Sequence, residues 1–239
     1  MSVIAQAGAK GRQLHKFGGS SLADAKCYLR VAGIMKEYSQ AGDMMVVSAA
    51  GSTTNQLISW LKLSQSDRLA AHQVQQSLRR YHTELIGGLL EPAAADTLIA
   101  AFIHDLERLA GLLDGGVSEA VYAEVVGHGE VWSARLMAAV LNQLGMEAAW
   151  LDARAFLRAE RAAQPQVDEG LSYPLLQQLM AQHPNKRLVV TGFISRNQAG
   201  ETVLLGRNGS DYSATQIGAL AGASRVTIWS DVAGVYSAD

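Results

Sequence analysis

Short apolar runs alternate along the chain with longer stretches in which apolar residues recur every three or four positions. Residues 14–17 read as a strand, and Gly18-Gly19 leads from it into a helix over 21–40. On that helix Leu22, Leu29, Ala32, Ile34, Met35 and Tyr38 fall mostly on one stripe. A second strand over 44–48 is followed by the loop Ala50-Gly51-Ser52-Thr53-Thr54 and a helix over 55–63. The longest helical pattern spans 66–114. Val74, Leu78, Tyr81 and Leu85 set its first spacing, and Leu98, Phe102, Leu106, Leu109 and Leu113 repeat it beyond Gly87-Gly88 and Pro92. Pro92 near a helix start and Gly115-Gly116 past a helix end fit the asymmetry of helix termini. We read this stretch as a helical hairpin inserted for core and subunit packing.

Two more helices are expected over 119–126 and 131–144, broken by Gly127-His128-Gly129. A strand over 148–151, a helix over 173–182 and a strand over 187–193 follow. A β-hairpin turns at 197–200, and a helix over 211–221 and a strand over 225–229 complete the pattern. Strands separated by helices predict an α/β fold, a three-layer αβα sandwich with a mostly parallel central sheet. No repeat or linker divides residues 1–239, so one domain is expected. Residues 1–12 read as a loose extension, and the end looks cut, because a strand and a turn arrive without a closing helix.

The chain of 239 residues is 49% hydrophobic and 18% charged, which excludes a disordered or fibrous polymer. A net charge of −2, from 20 basic and 22 acidic residues, gives no electrostatic reason to expect a nucleic-acid partner. The single cysteine, Cys27, cannot form an internal disulfide. It falls in a helix with no acid–base partner nearby in sequence, and we read it as inert. The first residues lack a cationic region followed by an apolar core, and no apolar run approaches the ~20 residues that cross a bilayer. A cytoplasmic protein with no membrane partner is the expectation.

Polar loops at strand ends carry the candidate chemistry. Lys16-Phe17-Gly18-Gly19-Ser20-Ser21 lies between the first strand and helix, where glycine amides and a helix N-terminus can hold phosphate and a lysine can add charge. An ordinary glycine turn with Ser20 or Ser21 as N-cap is the plain alternative. The P-loop pattern and the dinucleotide pattern are absent. Gly206-Arg207-Asn208-Gly209-Ser210-Asp211 again opens onto a helix. Arg207 can hold a carboxylate or phosphate, and Asp211 can serve the helix dipole, Mg²⁺ or a lysine. A plain N-cap role for Ser210 is the bland alternative to a functional loop. Glu130 reads as a first-turn residue of the helix after Gly129, a dipole or capping position. The six histidines are scattered without ligand spacing, which argues against zinc.

In order along the chain these pieces resemble the amino-acid kinase family, and within it the aspartokinases. KFGGSS (16–21), VVSAAGSTTNQL (46–57), GHGEVWSARLMAAVL (127–141), TGFISRNQAGETVLLGRNGSDYSA (191–214) and WSDVAGVYSAD (229–239) carry the resemblance, which covers nearly all of residues 14–239. Asn208 stands where monofunctional members usually have glycine. Asparagine tolerates positive φ, and this variant, with the long hairpin, is associated with bifunctional aspartokinase–homoserine dehydrogenases. The family continues past this end into further nucleotide contacts, regulatory modules and, in bifunctional members, a dehydrogenase.

The resemblance implies MgATP-dependent phosphorylation of the β-carboxylate of L-aspartate, the first step toward methionine, threonine and lysine. The cofactors implied are ATP and Mg²⁺, with the metal held mainly by ATP phosphates, and a homo-oligomer is implied for the longer protein. By resemblance Lys16, Gly18, Gly19 and Ser20 take the phosphates, and Asp211 organises Lys16. Ser48, Thr54, Glu130, Arg207 and Ser210 hold aspartate, with Arg207 and Glu130 as opposite ends of one clamp. Ser230, Asp231 and Tyr236 line the nucleotide pocket. Two alternatives stay open: a sibling kinase acting on glutamate or acetylglutamate, and a non-catalytic folding or assembly module.

Overall fold

The computed structural model describes residues 11–230. Its elements run β1 (Gln13–Phe17), α1 (Ala25–Tyr38), β2 (Met44–Val47), α2 (Thr53–Ser64), α3 (Arg68–Gly87), α4 (Pro92–Asp114), α5 (Glu119–Gln143), β3 (Ala148–Leu151), α6 (Glu169–Gln182), β4 (Arg187–Thr191), β5 (Ile194–Arg196), β6 (Thr202–Leu204), α7 (Gly209–Leu220) and β7 (Arg225–Trp229). Five strands form one parallel sheet in the order β3-β4-β2-β1-β7. The expected mostly parallel central sheet with helices on both faces is what the fold contains.

Alternation along the central strands sorts side chains to the two faces. Met45 and Val47 of β2, with Phe17 of β1, pack against α1, α2, α5 and the α3–α4 hairpin. Met44 and Val46, with Leu14, pack against α6 and α7. All four residues of β2 are buried, as a strand covered on both faces requires. The β5–β6 hairpin stands apart as a two-stranded antiparallel ribbon.

Four local expectations need correction. The expected helix start at Ser21 is a 3-10 turn over Ser20–Leu22, and α1 begins after Asp24, which accepts from the Cys27 amide at 2.8 Å. Its buried stripe is Tyr28, Val31, Ala32 and Met35, a true helical spacing, whereas Leu29 and Tyr38 are exposed. Helix α6 begins at Glu169 and carries Pro174 inside it, with Asp168 as N-cap. The expected break at Gly127–Gly129 does not exist, and α5 is continuous. Those glycines are there for approach. A Cβ on Gly127 would meet Ile194 Cγ2 at 2.6 Å, and one on Gly129 would meet Ala49 Cβ at 2.7 Å. The expected loose extension lies outside the described residues through residue 10. Arg12 is anchored by its Nε, which donates to the Gly42 carbonyl at 2.7 Å.

Candidate active site

Parallel pairing in register brings the strand ends level. Phe17 lies opposite Val47 and Trp229, and Val47 opposite Thr191. Gly18, Ser48, Gly192 and Ser230 therefore leave the sheet at one carboxyl edge, where open α/β sheets bind ligands. The first two loops interlock by backbone contact. Gly51 N donates to Gly19 O at 3.0 Å, and Ser48 N donates to Phe17 O at 3.2 Å. A Cβ on Gly19 would sit 2.9 Å from the Ala49 carbonyl, so only glycine allows that approach.

A cavity of about 350 Å³ opens at these loops, lined by Lys16, Gly18 and Gly19 together with Ser48, Thr54 and Glu130. The start of α7 closes it with Asn208, Ser210 and Asp211. Asn208 is the N-cap of α7 in the left-handed region, φ 55°, and makes no side-chain cap bond. Its tolerance of positive φ is what the GRNGSD loop uses. Ser210 is therefore not the N-cap.

Lys16 is nine-tenths buried, not a surface lysine, because β1 lies inside the sheet. Its Nζ pairs with Asp211 Oδ1 at 2.5 Å. Glu130 also departs from the sequence expectation. It lies in the middle of α5, buried at 3% exposure, and caps nothing. Its Oε1 accepts from the Ala49 amide at 3.3 Å, and its Oε2 is buried without a hydrogen-bond partner. Burial pushes its carboxyl pKa up to about 8. The sequence signal that could have located it is the Gly127/Gly129 pair, which lets α5 press against the site loops.

Arg207 is exposed and lines a neighbouring cavity of about 340 Å³ with Gln164, Gln166 and Tyr212. The structure does not bring it together with Glu130: Arg207 is not among the residues lining the main cavity, although Gly206 beside it borders both. Ser20 is exposed in its 3-10 turn and does not line the main cavity. Ser230 is exposed just after β7, and Asp231 and Tyr236 lie outside the described residues. Sequence reasoning missed Ala49 as a backbone donor and Phe193 as a lining residue. Phe193 adopts φ 66°, and its amide donates to Ser213 Oγ at 2.8 Å. Among the described residues no cluster of three or more His, Cys, Asp or Glu could hold a metal ion. Glu130 and Asp211 are the acidic side chains lining the cavity.

Residues 11–239 match the sequence model of the amino acid kinase family. The chain is 85% identical over 239 residues to the bifunctional aspartokinase/homoserine dehydrogenase 2 of Escherichia coli K12, covering 100% of this chain and 30% of that protein. It is 31% identical over 227 residues to lysine-sensitive aspartokinase 3 of the same organism, covering 94% of this chain and 50% of that protein. The crystal structure of E. coli aspartokinase III in complex with aspartate and ADP matches with a TM-score of 0.85 at 28% identity, over 95% of this chain and 50% of that one. The chain thus spans half or less of the length of these relatives. Sequence and fold agree over almost all of its length, and the chain belongs to the amino acid kinase family.

Proposed function

We propose that this domain transfers the γ-phosphoryl group of ATP to the β-carboxylate of L-aspartate, giving 4-phospho-L-aspartate and ADP. The observation that carries this reading is that one cavity is lined by both a lysine–aspartate ion pair and a buried carboxyl group. Lys16 pairs with Asp211, and the buried carboxyl of Glu130 keeps one oxygen unpartnered in the same cavity. A cavity near 350 Å³ lies at the low end of small-molecule sites, roughly 300–1,000 Å³, and suits an amino acid with the reacting end of a nucleotide. The relatives named aspartokinase, and the solved structure holding aspartate and ADP, support the same choice of substrates.

A substrate carboxylate with a reference pKa of about 3.9 is already ionised at neutral pH, so the acceptor needs no general base. Its oxygen bonds to the γ-phosphorus as the bond to the bridging oxygen breaks, and ADP departs with those electrons. The protein's part is positioning and charge neutralisation. Lys16 supplies positive charge to the transferring group, and Asp211 holds its ammonium in place. The amides of Gly18 and Gly19 border the phosphates, and Ser20, outside the cavity lining, takes no part in this reading. Glu130 receives the α-ammonium of aspartate, with Ser48, Thr54 and Ser210 beside it. Arg207, on the loop bordering the cavity, is the guanidinium assigned to the α-carboxylate. Ser230, Asp231 and Tyr236 belong to the nucleotide side. Mg²⁺ would ride on the ATP phosphates and supply charge there, since the described side chains build no cage for it.

The test is acceptor choice. The full chain is supplied with MgATP and, separately, aspartate, glutamate or acetylglutamate, and the acyl phosphate is trapped by hydroxylamine. Hydroxamate from aspartate alone is the expected result. Preference for glutamate or acetylglutamate, or nucleotide binding without turnover, would replace the reading.

A further inference from the structure

Two consecutive residues of α3, Tyr81 and His82, reach the loops that form the floor of the cavity. Tyr81 Oη donates to the Ala23 carbonyl at 3.0 Å, and a Cβ on Gly51 would come 3.0 Å from that same oxygen. The phenol therefore sits where the glycine loop after β1 meets the loop after β2. His82 is buried at 2% exposure, with ring centroids 4.9 Å from Phe102 and 5.1 Å from Trp132. Its Nε2 lies 3.1 Å from Thr53 Oγ1.

The direction of that bond follows from proton counting. The Thr53 hydroxyl donates its one proton to the Ala50 carbonyl at 2.6 Å. Its oxygen can then only accept, so His82 carries the proton on Nε2 and donates. Burial pushes the imidazole pKa down to about 3, so the ring stays neutral and serves as a fixed donor. The chain His82–Thr53–Ala50 ends on the loop that presents the Ala49 amide to Glu130 and Thr54 to the cavity. A hairpin whose sequence speaks only of packing thus reaches the site loops through two polar contacts, of which the His82–Thr53 bond is the buried one.

We propose that His82 is a positioning residue for the acceptor side of the site, holding the Ala49–Thr54 loop in register with Glu130 through its bond to Thr53. The inference rests on the aspartate kinase reading for its kinetic consequence, though the loop contact exists without it. If the ring served only as filler, an aromatic replacement would do as well. If it serves as a donor, the N–H is what matters.

The experiment compares His82→Phe, which keeps the aromatic packing, with His82→Gln, whose amide N–H reaches a similar point, in the full chain. Leaving a buried acceptor unsatisfied should raise the KM for aspartate roughly tenfold in His82→Phe, with the KM for ATP within about twofold. His82→Gln should recover most of the loss. Thr53→Val, of similar volume, deletes this contact together with the hydroxyl's bond to the Ala50 carbonyl, and carries at least the same expectation should His82→Phe fail to fold. Amide exchange at residues 49–54 should accelerate in His82→Phe and Thr53→Val and return toward wild type in His82→Gln. That readout needs no turnover, so it judges the inference even where aspartate proves not to be the acceptor. Unchanged exchange and unchanged aspartate KM in both Phe and Val variants would overturn it. So would equal losses in the Phe and Gln variants, which would mark a packing role.

Discussion

The ammonium of Lys16, at the end of β1, lies 2.5 Å from the carboxylate of Asp211 in the first turn of α7, with the lysine side chain 11% exposed and the aspartate 40% exposed. The pair is lopsided. The cation is held inside the sheet edge, while the anion keeps access to water.

That asymmetry predicts unequal costs. Lys16→Met removes a buried charge and leaves Asp211 to rehydrate, so thermal stability should change by less than about 1 kcal/mol. Asp211→Asn strands a nearly buried ammonium and should cost more, on the order of 1–3 kcal/mol. Activity should fall in both, by roughly 10²-fold or more for the lysine, the scale of losing one electrostatic donor. Melting curves and turnover rates on the two variants check the order.

Glu130 makes a pH prediction. Its folded pKa, about 8, lies above the unfolded value of 4.5, so the folded state holds the extra proton between those values. Stability should therefore fall as pH rises through that window and level off above about 8. Glu130→Gln mimics the protonated form and removes the slope. The variant should match wild type near pH 5 and melt higher than wild type near pH 8.5 in the absence of ligand. It should also use aspartate poorly, because an arriving ammonium draws the proton off Glu130 and pairs with the resulting carboxylate, a charge that glutamine cannot supply. A wild-type melting temperature indifferent to pH between 5 and 8.5 would count against the burial-driven shift.

Arg207 should matter to the acceptor rather than to the nucleotide. Lys16 is the one cation among the described residues lining the main cavity, and Asp211 already holds it. The α-carboxylate therefore needs another donor, and Arg207 stands on the bordering loop between two residues of positive φ. Arg207→Ala should weaken aspartate use by about 2–5 kcal/mol, the scale of breaking a desolvated charge pair, with ATP affinity within a few-fold. Separate titrations with ATP and aspartate decide it. A loss confined to ATP would remove Arg207 from the acceptor side.

Two helical glycines should respond oppositely to alanine. Gly33 in α1 is exposed and has open space where a Cβ would go, so Gly33→Ala should stabilise by about 0.5–1 kcal/mol through helix propensity. At Gly129 the added Cβ would stand 2.7 Å from Ala49 Cβ and 3.2 Å from Thr53 Cγ2. Overpacking there should cost about 1–3 kcal/mol despite the same propensity gain. Aspartate use should suffer with it, since Ala49 carries the amide that Glu130 accepts. Thermal melts of the two variants side by side are sufficient.

The order of strands and helices, the parallel sheet and the loops bearing Lys16 and Asp211 were legible in the chain itself. Those features depend on local rules: apolar period, turn residues and the level carboxyl ends that parallel strands impose. The left-handed turn at Asn208 was legible for the same reason, since few side chains accept positive φ. What the chain by itself could not decide was which partner each buried group meets. Gly127 and Gly129 read as helix breakers because propensity counts their missing side chains as a cost. Only the approach of Ile194 and Ala49 turns that absence into a requirement and carries Glu130, buried, to the cavity wall. Lys16 and His82 gave no sign of burial, and Arg207 none of lining the neighbouring cavity instead. Burial, and the pKa and hydrogen bonding that follow from it, is set by elements far apart in sequence closing over a side chain. A short-range pattern carries no record of that closure.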